Sequence, residues 1–420
     1  FILFACTLLG VALFHDRVLQ VALTGLTTIL LYKFFITGFK LAPGMEGLVL
    51  HFAHEWVILA NLLCLLLGFA ILADHFEKSQ VPEMLPRYLR SDWTGPFVLL
   101  AMIFVLSSFL DNIAAAIIGG TVANIVFRHK VHIGYVAAIV AASNAGGSGS
   151  VVGDTTTTMM WIAGISPIDV FHGYVAAVVA FVVCGIPAAI QQHRYQPLAV
   201  SAHGGGSVDT VRVGIVFFIL TVAIVANIMS NTVFTGSGDV FPVIGVALWL
   251  ALLASALVRQ PSWGILPEAF KGSIFLLSLV TCASLMPVEQ LPLASWQTAM
   301  GLGFVSSVFD NIPLTALAIK QGGYDWGMLA YAVGFGGSMI WFGSSAGVAI
   351  CNNFPQARSV TSWVKNGWHV TVGYVVGFFV MLWTLGWQPH APVHHNTGAA
   401  TPVVTAPAVP TVGAPVLPKP

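Results

Sequence analysis

"SSFLDNIAAA" occupies residues 107–116 and "SSVFDNIPLT" residues 306–315, and in each an Asp-Asn pair interrupts a hydrophobic run. Their first seven residues agree at five positions. A second matched signal follows each one, "NAGGSGSVVGDTTTT" from Asn144 and "GFGGSMIWFGSSAG" from Gly334. Two dissimilar signals repeated in the same order argue for an internal duplication. Asp and Asn side chains compete for backbone groups and suit the cap of a new helix, so each pair predicts a helix that stops and restarts. Pro313 fits the first turn of the second restarted helix, where its missing N–H costs nothing. The Gly-Gly-Ser stretches allow non-helical backbone and close approach.

Around these signals the chain is very apolar: 57% of its 420 residues are hydrophobic and 8% are charged. A soluble globular surface does not tolerate that balance, and apolar runs near bilayer length recur where the short alternating segments of an outer-membrane barrel do not. The expected fold class is an all-α polytopic membrane protein with about 10–12 hydrophobic segments and two repeats, inverted copies being the common transporter arrangement. Non-helical backbone at membrane depth is tolerated only where protein buries it or water reaches it. Each repeat is therefore expected to carry one broken helix and one re-entrant hairpin, their tips meeting near the midplane.

The expected organisation is a first half over 1–190 with its hairpin near 133–165, a polar linker over 191–212, and a second half over 213–387 with its hairpin near 327–351. A further polar stretch, 75–95, contains Glu77, Lys78, Arg87 and Arg90. Residues 388–420, rich in Pro, Ala, Thr and Val, read as a disordered or polyproline-like tail. The formal net charge is zero, which sets nucleic-acid binding aside. Five scattered cysteines in mostly apolar surroundings suit lipid-buried thiols, not a disulfide framework or a zinc site. The chain starts at Phe1, so a fragment or missing first residues are both open readings.

Asp111, Asp154 and Asp310 all fall inside apolar runs, where a carboxylate at helix centre costs roughly 2.5–3.5 kcal/mol on insertion scales. That cost usually marks function, although each could also act as a plain helix cap. The motifs at the centre contain no Arg or Lys, the nearest being Lys320 about two turns past the second break. Carboxylates with Asn, Ser, Thr and backbone oxygens suit a small hard cation such as sodium, while helix N-termini leave an anion possible.

At this point the residues resemble a family. "DNIAAAI", "NAGGSGSVVGDTTTTMMWIAGISP", "DNIPLTA" and "GGSMIWFGSSAGVAI" together are similar to the ion transporter superfamily of NhaD-type sodium/proton antiporters, arsenite permeases, and citrate and dicarboxylate carriers. The Gly-Asp-Thr-Thr-Thr run and the Gly-Gly-Ser-Met run look most like the NhaD type. The resemblance implies an inverted-repeat secondary transporter in the bacterial inner membrane, not an enzyme, with no cofactor beyond sodium ions and protons and with a homodimer as the usual assembly. It places binding residues at the hairpin tips and helix breaks: Asn112, Asn144, Gly147, Ser148 and Asp154 in the first half, and Asn311, Ser338, Ser344 and Ser345 in the second. The residues themselves add the intramembrane acids Asp111 and Asp310 and the hydroxyl of Thr155 as candidates. Sodium would be held through Asn112, Asn144, Asp154, Asn311 and Ser338. Dicarboxylate carriers display a Ser-Asn-Thr triplet at each tip. Here Ser143-Asn144 is followed by Ala145, which weakens that reading.

Partners are then membrane lipid and a small inorganic ion or small anion. Sodium/proton antiport by alternating access is the leading expectation. The alternatives are a sodium-coupled carboxylate or inorganic anion symporter and an arsenite-type permease. "HFAHE" at 51–55 spaces His51 and His54 along a helix without the metalloprotease order, and reads as an interfacial pair. Asp169, Asp325 and Glu289 read as loop charges, and Trp56, Trp93, Trp263, Trp326 and Trp363 as interfacial anchors.

Overall fold

The computed structural model describes residues 1–14, 17–84, 89–198, 207–232 and 240–390, and among these residues it is helical without strands. The first half runs through α1 (Ile2–Leu13), α2 (Val18–Tyr32), α3 (Gly44–Glu77), α4 (Thr94–Ser107), α5 (Asn112–Val126), α6 (Ile133–Gly147), α7 (Thr155–Ile162) and α8 (Gly173–Tyr195). The second runs through α9 (Thr210–Thr232), α10 (Val243–Ala256), α11 (Leu266–Ser284), α12 (Trp296–Ser306), α13 (Asn311–Gln321), α14 (Trp326–Gly336), α15 (Ser345–Asn353) and α16 (Trp368–Leu385). Among the described residues six helical stretches are long and apolar enough to cross a bilayer, α3 and α8 contributing to two of them. The protein is a multi-pass membrane protein.

Both Asp-Asn pairs interrupt a helix. The α4 helix stops at Ser107 and α5 restarts at Asn112; α12 stops at Ser306 and α13 restarts at Asn311. Asp111 and Asp310 occupy the N-cap positions with nearly equal backbone angles, φ −51° and ψ 139° against φ −51° and ψ 141°. Asp111 accepts from the Ile113 amide at 3.2 Å and Asp310 from the Ile312 amide at 3.1 Å, so each carboxylate satisfies an amide that the break leaves without an intrahelical acceptor.

The Gly-rich stretches turn helices back on themselves. With 15 residues, α6 reaches about 22 Å, short of the ~30 Å hydrocarbon core, and α14 is shorter still. Every residue of α6 from Gly134 onward and every residue of α14 is buried, as expected of helices apolar on all sides. A Cβ on Gly147 would lie 2.8 Å from the Gly153 carbonyl oxygen, and one on Gly337 2.8 Å from that of Gly343, so glycine lets both hairpins close. Thr157 and Thr158 donate to the carbonyls of Ser150 and Val151, pinning the first turn to α7.

One apolar core gathers α4 to α8 with α12 to α16. Two others hold α3 with α9 and α10, and α1 with α2 and α11. Between these groups lies an apolar seam in which Leu59, Leu62 and Leu66 of α3 and Leu276 and Val280 of α11 join Met159 of α7 and Ile312, Ala316 and Ile319 of α13. Outward-facing apolar side chains such as Phe35, Leu253 and Trp383 present a surface for lipid.

Several boundaries differ from the sequence reading. Apolar periodicity alone starts the third segment near 56, yet α3 begins at Gly44; likewise α11 begins at Leu266, so that Glu268 and Lys271 lie in its first turns. Glu289 is an exposed loop charge, its carboxyl held below the usual range by a hydrogen bond from Lys40 at 2.8 Å. Asp325 is not a free loop charge: it is buried, accepts from the Met328 amide at 3.0 Å and from the Gln388 amide at 2.9 Å, and so anchors α14. Trp326 and Trp363 are core residues and not interfacial anchors: α14 packs against α6, α8 and α16, and Trp363 is the one buried residue of a short, otherwise largely exposed helix (Val360–Asn366) that packs on α6. Residues 199–206 of the proposed linker and 391–420 of the proposed tail lie outside the described residues.

The close crossing of α12 and α14 gives a stability prediction. A Cβ on Gly336 would lie 2.8 Å from Gly303 Cα, whereas one on Gly301 meets nothing within 4 Å. Gly336→Ala is expected to destabilise the protein by about 1–3 kcal/mol through overpacking. Gly301→Ala is expected to be neutral or stabilising by up to ~1 kcal/mol. Thermal unfolding of the two variants in detergent checks the contrast.

Candidate functional site

The breaks and the hairpin tips converge. Asn112, the first residue of α5, donates through Nδ2 to Asn144 Oδ1 at 3.0 Å. Asn144, near the end of α6, donates in turn to Ser338 Oγ at 2.9 Å and to Ser344 Oγ at 3.1 Å. One fully buried amide thus joins the first helix break, the first hairpin and both limbs of the second hairpin turn. Ser344 also caps α15 by accepting from the Gly347 amide at 3.2 Å, and Ser345 donates to Asp310 Oδ2 at 2.7 Å, which ties the second hairpin to the second break.

Asp154 caps α7. Its Oδ1 accepts from the Thr156 amide at 3.1 Å; its Oδ2 is buried and has no hydrogen-bond partner. The residue is 2% exposed and lies within Coulombic range of both Asp111 and Asp310, so the three acids drawn from separate parts of the sequence share one region. Asn311 is a second incomplete group, 3% exposed with its Nδ2 unpartnered. Buried polar atoms are nearly always paired, and an unpaired one costs about 1–3 kcal/mol. The Thr156 hydroxyl beside the Asp154 carboxylate is a third such atom, and the three together make this region the candidate site.

The remaining predicted residues divide by role. Gly147 stands where the turn needs no side chain, and Ser148 donates locally to the Ala145 carbonyl at 2.9 Å while keeping oxygen lone pairs free to accept. Thr155 is only half-buried at the start of α7. Both Asp111 and Asp310 serve as helix caps, and the position leaves each a second oxygen, used by Ser345 in the case of Asp310. His51 contacts Ser284 Oγ at 3.1 Å, and among the described residues no three His, Cys, Asp or Glu side chains gather as a metal site.

Sequence reading passed over three supports. Trp363 is fully buried and donates from Nε1 to the Ser338 carbonyl at 3.1 Å, holding the second hairpin tip from behind. Ser107 donates to the Ser143 carbonyl at 2.6 Å and Ser306 to the Val333 carbonyl at 2.7 Å, fixing each hairpin to its own break. The serines are visible in the sequence as part of the repeated "SS", whereas Trp363 reads there as an interfacial anchor and nothing local marks it as a support of the hairpin. Lys320, the cation nearest in sequence, is directed away: its ammonium donates to the Ser284 carbonyl and, at 3.2 Å, to that of Met286, at the end of α11.

No family model matches the chain. Curated proteins do. The chain is 26% identical over 355 residues to "Sodium/proton antiporter 1" of Arabidopsis thaliana, an alignment covering 73% of this chain and 59% of that protein. With "Na(+)/H(+) antiporter NhaD" of Alkalimonas amylolytica it shares 26% identity over 296 residues, 58% of this chain and 59% of the relative. "Sodium/proton antiporter 2" of Arabidopsis thaliana matches at 25% over 362 residues, 74% of this chain and 82% of the relative. The alignments thus span about three-fifths of the length of the first two relatives.

Asn144 generates a prediction of its own. Asn144→Ala removes three side-chain hydrogen bonds and leaves Asn112 unsatisfied, at a cost of roughly 2–4 kcal/mol. A double-mutant cycle of Asn144→Ala with Ser338→Ala is expected to give a coupling of about 1 kcal/mol in detergent unfolding. In sequence and in fold class the chain is a polytopic helical membrane protein similar to the NhaD-type and plant sodium/proton antiporters.

Proposed function

We propose that the protein is a secondary active transporter that exchanges sodium for protons across a bacterial inner membrane. The observation that carries this reading is Asp154: one carboxylate oxygen caps α7 and the other faces the centre of the protein, buried and without a partner, in range of two further acids. A carboxylate in such a place holds a proton until a cation replaces it, so the two ions compete for one site. The repeated motifs around it are rich in Asn, Ser and Thr, and Lys320, the lysine nearest those motifs in sequence, is engaged at the end of α11, which favours a small hard cation over an anion.

Exchange requires that the site open to one side at a time. In this reading the hairpins and breaks, joined by the Asn144 bonds, move as a unit against α1 to α3 and α9 to α11. The apolar seam supports that division, because apolar faces can slide at low cost; the Lys320 bonds to the end of α11 are the directional contacts that such a movement would have to break or carry along. The correspondence of the two breaks in cap, angles and hydrogen bond supports reading the halves as repeats of one unit. The names of the relatives, sodium/proton antiporters, agree in substrate. A homodimer is part of the same proposal.

Purified protein in liposomes with imposed sodium and pH gradients tests the reading. Sodium-dependent proton flux is expected, with the apparent KM for sodium rising as pH falls, since protons then occupy the carboxylate. Asp154→Asn keeps the Oδ1 cap and is expected to fold while losing at least ~100-fold in exchange, the size of losing the one charge the ion faces. Full activity in that variant would remove Asp154 from the mechanism. Sodium-dependent uptake of a carboxylate without proton movement would select the symporter instead.

A further inference from the structure

The two hairpins sit in one register. Ser107 bonds the Ser143 carbonyl and Ser306 bonds the Val333 carbonyl, which makes the next residues, Asn144 and Gly334, counterparts. The same spacing pairs Ser148 with Ser338 and Asp154 with Ser344. On one side of the centre, Asn144 fills its place and bonds Ser338 and Ser344. On the other, Gly334 has no side chain, and a Cβ built on it would lie 3.4 Å from Asp154 Oδ2 and 3.5 Å from Ser148 Cβ, the counterparts of those same two serines.

The correspondence extends to the breaks. Asn112 bonds Asn144, whereas its counterpart Asn311 would find its partner at position 334, where there is only glycine. The missing side chain at 334 accounts for the unpartnered Asn311 Nδ2, and it leaves Asp154 Oδ2 with no partner from that hairpin, the buried Thr156 hydroxyl being the side-chain donor beside the carboxylate.

We propose that Gly334 opens the one cation-binding place among the described residues, where Asp154 Oδ2, Ser148 Oγ and, with its amide turned, Asn311 Oδ1 take a dehydrated small monovalent cation in the space that Asn144 closes on the opposite side. The inference rests on the exchange reading above and adds to it that the site is single and one-sided. A charge of one carboxylate matches one monovalent cation, and the neutral Asn-Ser-Ser counterpart offers a cation no comparable charge. Rotation of the Asn311 amide exchanges a donor for an acceptor without moving the backbone.

Two substitutions of Gly334, read by thermal unfolding of the purified full chain in sodium chloride against choline chloride, test this. Gly334→Ala makes only ordinary contacts and favours the helix, so its melting temperature without sodium is expected to equal or exceed the native one. The sodium concentration for half-maximal stabilisation should nevertheless rise about tenfold. Gly334→Asn, which restores the missing partner, is expected to fold, to lose the sodium-induced shift and to lose exchange in liposomes. Native sodium dependence in a folded Gly334→Ala protein would overturn the proposal, and so would a sodium-responsive Gly334→Asn protein. If native protein shows neither a sodium-induced shift nor exchange, the antiport reading falls and this one with it; if native protein responds and both variants respond equally, only the present inference fails.

Discussion

Inside a bilayer no water stands ready to bond a backbone N–H or C=O, so every interruption of a helix must supply its own partners. In this protein that constraint concentrates at the two breaks, 108–111 and 307–310, and at the two hairpin turns, 148–154 and 340–344. Asp111, Asp154, Asp310 and Ser344 each cap the helix that follows an interruption. Hydroxyls do the rest: Ser107 and Ser306 bind hairpin carbonyls, and Thr157 and Thr158 bind the first turn. The polar residues of the centre are first of all the means by which irregular backbone survives at depth.

Capping and ion binding are compatible because a carboxylate has two oxygens. Asp310 uses both within the protein, one on the Ile312 amide and one on Ser345. Asp154 uses one and keeps the other unpartnered. What distinguishes these two acids is therefore not residue type but whether a neighbouring side chain reaches the second oxygen. Asn144 plays the opposite part, since its amide is fully engaged and locks the two hairpins together. These bonds make the two hairpin tips and the first break one connected polar centre.

Relatedness and geometry bear on different questions. The sodium/proton antiporters share about a quarter of their residues with this chain over the aligned regions, which speaks to the kind of protein and the ions its relatives are named for. The arrangement of Asp154, Asn311 and Gly334 speaks to where in this chain a cation would sit, and it does so independently of any name.

The sequence by itself determined the membrane class, from composition, and the positions of the breaks and hairpins, from two repeated pairs of signals whose local chemistry forces caps and turns. Helix limits shifted where polar residues such as Glu46, Glu268 and Lys271 occupy helix ends beyond the apolar run, because hydropathy reports the lipid-facing span and not the full helix. Tertiary structure decided what the signals do together: that Asn144 spans two hairpins 194 and 200 residues apart from its partners, that Trp363 backs the second tip, and that Asp325 and Trp326 belong to the core. It also decided which acid keeps a free oxygen. Those outcomes depend on distances between segments far apart in the chain, and in helices buried on all faces no periodicity records which neighbour each side chain will meet.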